Sequence, residues 1–390
     1  MDDVIAILAP GQGSQTPGML APWLELDGVP EQVAAFSELA GLDLARLGTT
    51  ADADEIRDSA VTQPLIVAIG LIAASRLDLG QVVVAGHSIG EVTAAAIAAT
   101  LTPAQAMSFA GRRGAEMAAA CAATPTSMVA VVGGEPDEVV AAIIGAGLTP
   151  ANRNGAGQIV AAGPVEAIGK LTDNPPAGAR VRPLQVAGAF HTGYMSSAER
   201  SLRAVAAGLT PADPNQILLS NADGAAVSDG RSVLARLVAQ VTRPVRWDLC
   251  LNTLRALGVT GAIELPPARA LTGIARRELP GVRLVPIKGP DDLPAAQRLL
   301  DDRPGPEQRL PGSDVRVILS QNQGIFTRGH GVGEGLAVVG GARIGTIRTD
   351  RDEVAVIAPA SGVLSEWLRH DGDIVGAGLP VALMATGISG

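Results

Sequence analysis

The chain is poor in cysteine, in aromatic residues and in long apolar runs, and each scarcity removes a class of explanation. Its 390 residues hold two cysteines, Cys121 and Cys250, far apart and without a CxxC spacing. A disulfide framework or a zinc site needs more thiols, or closer ones, so a reducing cytosol is the expected setting. There are three Trp, four Phe and one Tyr, and the formal net charge is −9. Few stacking surfaces and an acidic balance do not suit nucleic acid or an anionic membrane surface. Leu65 to Ala74 is far too short to span a bilayer. The start, Asp2-Asp3 and then Val4 to Ala9, lacks the basic residues and apolar length of a secretory signal. A soluble, cytoplasmic protein is expected, with no nucleic-acid and no membrane partner.

What is present is an apolar composition of 47%, enough for a large buried core, over a length suited to two or three domains. From Val4 to about Lys288, short apolar strands alternate with Ala-rich amphipathic helices, the pattern of an α/β layer structure. Val4–Leu8 reads as a strand ending at Gly11-Gln12-Gly13-Ser14-Gln15. Val82–Ala85 reads as a fully buried strand, broken at Gly86 and followed by a helix over Glu91–Thr100. Between Ser127 and Val186 the rhythm changes to β-α-β-β-α-β, the signature of a ferredoxin-like unit. The expected organisation is a large parallel-sheet core, hydrolase-like, from 1–126 and 187–288, with an inserted ferredoxin-like subdomain at 127–186. Residues 289–313 read as a linker with one helix-forming piece, Pro294–Leu300. A Gly- and Val-rich all-β domain follows over 314–390. It repeats internally: Val338-x-x-Gly341-x-x-Ile344 recurs as Val375-x-x-Gly378-x-x-Val381, and Gly324-Ile325-Phe326 as Gly362-Val363-Leu364.

The strongest chemical signal is Gly86-His87-Ser88-Ile89-Gly90, a GxSxG between a strand and a helix. The sharp turn lifts a serine hydroxyl clear of the sheet, and the helix N-terminus offers free N–H groups to a developing oxyanion. Such a serine needs a base. Of four histidines, His330 and His370 lie beyond the linker and His87 adjoins the serine. Elimination leaves His191, in Gly188-Ala189-Phe190-His191. No acidic residue near His191 stands out as a third member, which disfavours an ordinary α/β-hydrolase.

Taken together, Gly11 to Gln15, Gly86 to Glu91, Arg113-Gly114 with Met117, Asn152 to Val160, and Ala189-Phe190-His191 resemble the malonyl-CoA:acyl-carrier-protein transacylase family, over about residues 4–288. The resemblance implies that Ser88 is acylated and that His191 is the base, oriented by the main-chain carbonyl of Gln240. It implies an oxyanion hole from the N–H groups of Gln12 and Ile89. Arg113 would hold the malonyl carboxylate, because a guanidinium fork binds it in bidentate fashion. Met117, Phe190, Asn152 and Gln158 would complete the substrate site, and Phe190 in Ala-Phe-His is similar to malonyl-selective members. The implied substrates are malonyl-CoA and the phosphopantetheine thiol of holo acyl carrier protein, reacting in ping-pong fashion and feeding fatty-acid synthesis, without a permanently bound cofactor or metal. A polyketide acyltransferase and a serine thioesterase or esterase are the alternatives. One departure is Leu265-Pro266-Pro267, where the family has Gly-Pro-Gly.

Residues from about Val315 to Met384 resemble the biotinyl/lipoyl carrier fold, a barrel-sandwich. The attachment lysine is replaced by Arg351, within Thr349-Asp350-Arg351-Asp352. The chain has only two lysines, Lys170 and Lys288, neither in this domain. No biotin or lipoate attachment is expected, and the domain reads either as a protein-docking module or as structural padding.

Overall fold

The computed structural model describes residues 4–186, 188–302, 314–320, 322–349, 352–376 and 379–386. In chain order, the first part of the chain forms β1 (Val4–Ala9), β2 (Val83–Gly86), β3 (Thr126–Gly133), β4 (Thr149–Gly155) and β5 (Gln158–Pro164). It continues with β6 (Ala179–Pro183), β7 (Ile217–Leu219), β8 (Val245–Arg246), β9 (Val259–Glu264) and β10 (Arg283–Pro286). A parallel sheet in the order β10-β9-β1-β2-β7 is the centre of the molecule. Its strands are apolar throughout because both faces are covered. Along β1, Ile5, Ile7 and Ala9 enter one core, and Ala6 and Leu8 enter the other. The helix Ser59–Ala74 is buried over nearly its whole length on the first side.

The stretch 126–183 has the element order β-α-β-β-α-β, with strands in the order β6-β3-β5-β4. Its two helices, Pro136–Gly145 and Val165–Asp173, cover one face: Val129, Val131, Ile159 and Ala161 pack there with Val139, Ile143, Ile168 and Leu171. The alternate residues Met128, Val160 and Ala162 point the other way and join the first core cluster of the parallel sheet. A one-residue alternation therefore welds this sheet to the rest. β8 extends it by pairing parallel with β4, Asn152 opposite Val245, which brings the segment after Gln240 against the same sheet.

The first half of the expected linker is not a spacer. Residues Leu293–Asp301 form a helix whose Ala296, Leu299 and Leu300 are buried in the same core as Ile5. The spacing i, i+3, i+4 puts these three on one stripe, so the helix docks as part of the folded body. Residues 303–313, the rest of that expectation, lie outside the described residues. The helix expected at Glu91–Thr100 runs instead over Gly90–Ile97; Ala99 has a positive φ of 55°, which ends it. At the end of β9, Glu264 is buried and accepts the N–H groups of Leu271 and Thr272 at 3.0 and 2.8 Å, serving the start of the helix Ala270–Glu278.

Beyond residue 313 lie β11 (Asp314–Leu319), β12 (Gly324–Arg328), β13 (Ala337–Val338), β14 (Arg343–Arg348), β15 (Glu353–Ile357), β16 (Gly362–Trp367), β17 (Ile374–Val375) and β18 (Pro380–Thr386). They make two four-stranded sheets, β11-β18-β16-β13 and β15-β14-β12-β17. Shifting each label in the second sheet by four reproduces the first, so the sequence repeat is a structural one. The repeated apolar positions are core positions: Val338 with Val375, Ile344 with Val381, and Phe326 with Leu364 are all buried. Gly378 and Arg351 lie outside the described residues. The Thr349 N–H donates to the Asp352 carbonyl at 2.8 Å.

Candidate active site

Ser88 sits where β2 ends and the helix Gly90–Ile97 begins, with φ of 54°, a left-handed conformation that a non-glycine residue holds only when its surroundings impose it. The surroundings are tight. A Cβ on Gly90 would lie 2.1 Å from the Ala9 carbonyl oxygen, and one on Gly86 would lie 2.1 Å from Gly90 itself. Gly11 is equally constrained, 2.6 Å from the His87 carbonyl oxygen, and the His87 N–H donates to the Ala9 carbonyl at 2.9 Å. The two Gly-rich turns are thus in backbone contact. Among the described residues, neither the Gln12 nor the Ile89 amide donates to another group of the chain.

The Ser88 Oγ lies 2.8 Å from His191 Nε2, and His191 Nδ1 lies 2.8 Å from the Gln240 main-chain carbonyl. His191 is 3% exposed and also left-handed, with φ of 60°. A carbonyl accepts only from an N–H, so this contact puts the proton on Nδ1 and leaves Nε2 as an acceptor facing the serine. Burial, then the positive charge of Arg113, lowers the His191 pKa to about 3. The imidazole is therefore neutral at neutral pH.

Arg113 comes from the helix Pro103–Ala123, started by a capping box between Thr102 and Gln105. It is 1% exposed. Its Nη1 donates to Gln63 Oε1 at 2.6 Å, and its Nη2 to Gln240 Oε1 at 2.9 Å and to Ser88 Oγ at 3.3 Å. Its Nε is buried without a partner among the described residues. Burial lowers its pKa to about 10, with Glu91 opposing, so it stays charged at neutral pH. The neighbouring Arg112 is half exposed and pairs with Glu116 at 2.7 Å.

The remaining expected residues are placed unevenly. Met117 and Phe190 are buried in the first core cluster, and Met117 Sδ accepts from Gln63 Nε2 at 3.4 Å. Gln158 acts at one remove: its Oε1 accepts from Asn154 Nδ2 at 2.9 Å, and Asn154 Oδ1 is 2.9 Å from His87 Nε2. Asn152 is buried on β4 and does not join this network. The Gln12 side chain holds its own loop, donating to the Arg57 carbonyl at 3.3 Å and accepting from Ser59 Oγ at 3.2 Å.

Four polar residues of the site were not anticipated: Gln63, Glu91, Asn154 and Asn221. Asn221 Oδ1 accepts the Ser88 N–H at 2.8 Å, and its Nδ2 donates to the Gly86 carbonyl at 2.7 Å. Glu91, 5% exposed, accepts the Asn221 N–H at 2.6 Å with Oε1 and a Gln240 Nε2 hydrogen with Oε2. Gln63 carried a readable signal, a lone amide in the apolar run of the helix Ser59–Ala74.

A family model described as the acyl transferase domain matches residues 7–287, which sets the class of enzyme: an acyltransferase. Within that class the chain belongs to the malonyl CoA-acyl carrier protein transacylase family. The transacylase of that name from Mycobacterium tuberculosis is 55% identical over 296 residues, 74% of this chain and 98% of that protein. The crystal structure of MCAT from the same organism superposes with a TM-score of 0.74 at 53% identity, covering 75% of this chain and 99% of that one. A malonyl-transacylase solved in complex with its type II PKS acyl-carrier protein superposes at 0.71, with 27% identity and coverage of 76% and 99%. Among the described residues no helix is long and apolar enough to cross a membrane, and no group of three or more His, Cys, Asp or Glu is placed to hold a metal ion.

Proposed function

We propose that the chain transfers malonyl from malonyl-CoA to the phosphopantetheine thiol of acyl carrier protein, in the cytoplasm, and so supplies fatty-acid synthesis. The observation that carries this reading is one chain of contacts: Gln240 carbonyl, His191, Ser88, with a buried guanidinium 3.3 Å from the serine oxygen. His191 Nε2 takes the hydroxyl proton as Ser88 Oγ attacks the thioester carbonyl. The amides of Gln12 and Ile89, on two turns in backbone contact, meet the oxyanion. His191 returns the proton to the coenzyme A sulfur as it leaves, and a malonyl-serine ester remains. The carrier thiol then gives its proton to His191 and attacks the ester, reversing the sequence.

Arg113 selects the acyl group. A carboxylate entering this buried site needs a charged partner. Arg113 offers a fork whose Nη2 already lies on the serine oxygen and whose Nε is unpartnered. Met117 and Phe190 close the apolar side. The domain reading follows the same lines: a core of 1–126 and 187–288, an inserted ferredoxin-like subdomain at 127–186, and a biotinyl/lipoyl-like β domain at 314–390. Without a lysine, that β domain is a docking module rather than a carrier.

The test is mass spectrometry of the Ser88 peptide after brief exposure to malonyl-CoA. A malonyl adduct on Ser88, discharged onto holo acyl carrier protein, is expected. Release of free malonate with no malonyl-carrier would make the protein an esterase and refute the reading.

A further inference from the structure

The site contains a buried carboxylate that the transfer steps do not use. Glu91 does not touch Ser88 Oγ or His191. Its two oxygens accept N–H groups from opposite arms of the site, Oε1 from the Asn221 amide and Oε2 from Gln240 Nε2. The Asn221 arm supports the serine, because Asn221 Oδ1 holds the Ser88 N–H. The Gln240 arm touches the first, since Gln240 Nε2 also donates to Asn221 Oδ1 at 3.2 Å, and then leads on: Gln240 Oε1 accepts from Arg113 Nη2 at 2.9 Å, and the same Nη2 lies on Ser88 Oγ. An amide stands between an acid and a guanidinium, and its polarity is set by them, NH2 toward the acid and oxygen toward the cation.

We propose that Glu91 is a positioning residue for acyl selectivity: by fixing the Gln240 side-chain amide, it holds the Arg113 fork where the acyl carboxylate must be met. The proposal rests on the reading that Arg113 receives that carboxylate. Both Glu91 oxygens act as acceptors, the hydrogen-bonding pattern of an ionised carboxyl. Burial, the largest influence, raises its pKa to about 8 against the pull of the Asn221 amide and Arg113, so the assays are run above that pH, where both oxygens accept.

The isosteric substitution Glu91→Gln separates the two arms. With the new amide oxygen toward the Asn221 N–H, Ser88 keeps its support. The new NH2 faces Gln240 Nε2, donor against donor. If the Gln240 amide turns over to relieve this, its NH2 faces the Arg113 Nη2 instead. With the new NH2 toward Gln240 the unsatisfied donor pair lies on the path to Arg113, which weakens malonyl selection; with it toward the Asn221 N–H the clash lies on the path to Ser88, which weakens transfer of both acyl groups alike.

The experiment measures malonyl and acetyl transfer to holo acyl carrier protein by the full chain, wild type and variants. Glu91→Gln is expected to raise KM for malonyl-CoA and lower the malonyl-to-acetyl ratio of kcat/KM about tenfold, the size of one lost hydrogen bond to a charged group. Gln240→Leu keeps the main-chain carbonyl and removes the relay. It should lower the ratio similarly, and adding Glu91→Gln to it should lower the ratio no further. An unchanged ratio in Glu91→Gln, or equal losses for both acyl groups, overturns the proposal. Should Glu91→Gln not fold, Gln240→Leu decides: an unchanged ratio there overturns it equally. Arg113→Ala keeps the two readings apart. If it lowers the ratio and Glu91→Gln does not, only the role of Glu91 falls; if it leaves the ratio unchanged, the role of Arg113 falls first.

Discussion

The proposed role of His191 as a base requires it to be uncharged, and that state has a measurable thermodynamic cost in acid. Burial and the neighbouring Arg113 lower its pKa from 6.5 to about 3. The unfolded chain takes up a proton at this residue below pH 6.5 and the folded protein does not. A histidine with a depressed pKa contributes stability that is complete above the unfolded value and is lost as pH falls from there toward 3. Each pH unit in that window is worth about 1.36 kcal/mol. By about pH 5, some 1.5 units below the unfolded value, the loss at this residue is about 2 kcal/mol. The perturbation is His191→Gln, which is neutral at every pH. Urea unfolding of wild type and variant at about pH 7 and about pH 5 isolates the residue, because every other group is common to both. Wild type should lose about 2 kcal/mol more than the variant over that interval. The kinetic counterpart is a malonyl-CoA kcat/KM that stays level through pH 6.5, since that profile reports the free enzyme's base. Equal pH dependence of stability in the two proteins, or an acid limb centred near 6.5, would refute a neutral buried imidazole.

Three shorter predictions follow from the same geometry. Arg113→Ala should cost malonyl transfer about two to three orders of magnitude in kcat/KM, the penalty of a buried charge without its partner; acetyl transfer should change little, as parallel assays will report. Gly90→Ala should destabilise the fold by about 3 kcal/mol or more, because its Cβ would lie 2.1 Å from the Ala9 carbonyl oxygen and backbone cannot yield cheaply; a denaturation midpoint within error of wild type would contradict this. Intact mass of the purified chain should show no biotinyl or lipoyl adduct, and an adduct of either kind would reverse the reading of the β domain.

What the sequence disclosed and what it concealed divide along a physical line. Local signals were legible: the turn chemistry at Gly86 to Gly90, the scarcity of histidine that singles out His191, and the short apolar runs that became β1 and β2. The concealed parts depend on pairing between distant elements. Glu91 meets Asn221 and Gln240, 130 and 149 positions away, and nothing in the neighbourhood of any of the three announces the meeting. Asn154, two positions beyond the Asn152 that the motif singled out, holds the contact with His87. The register of β4 shifts between Pro150 and Asn152 and again between Arg153 and Gly155, an irregularity that sequence spacing does not announce. The helix Leu293–Asp301 looked like part of a linker because its surroundings are rich in Pro and Asp; three apolar residues on one stripe were enough to dock it.

The pairing of β11 with β18 sets Asp314 opposite Thr386, so the first and last strands of the C-terminal module lie side by side. A chain that enters and leaves a module at one spot can be cut and rejoined there without pulling the rest apart. The module is built like a cassette. Splitting it midway would be another matter, because each sheet draws strands from both halves of the repeat, and either fragment alone would carry two incomplete sheets with raw edges.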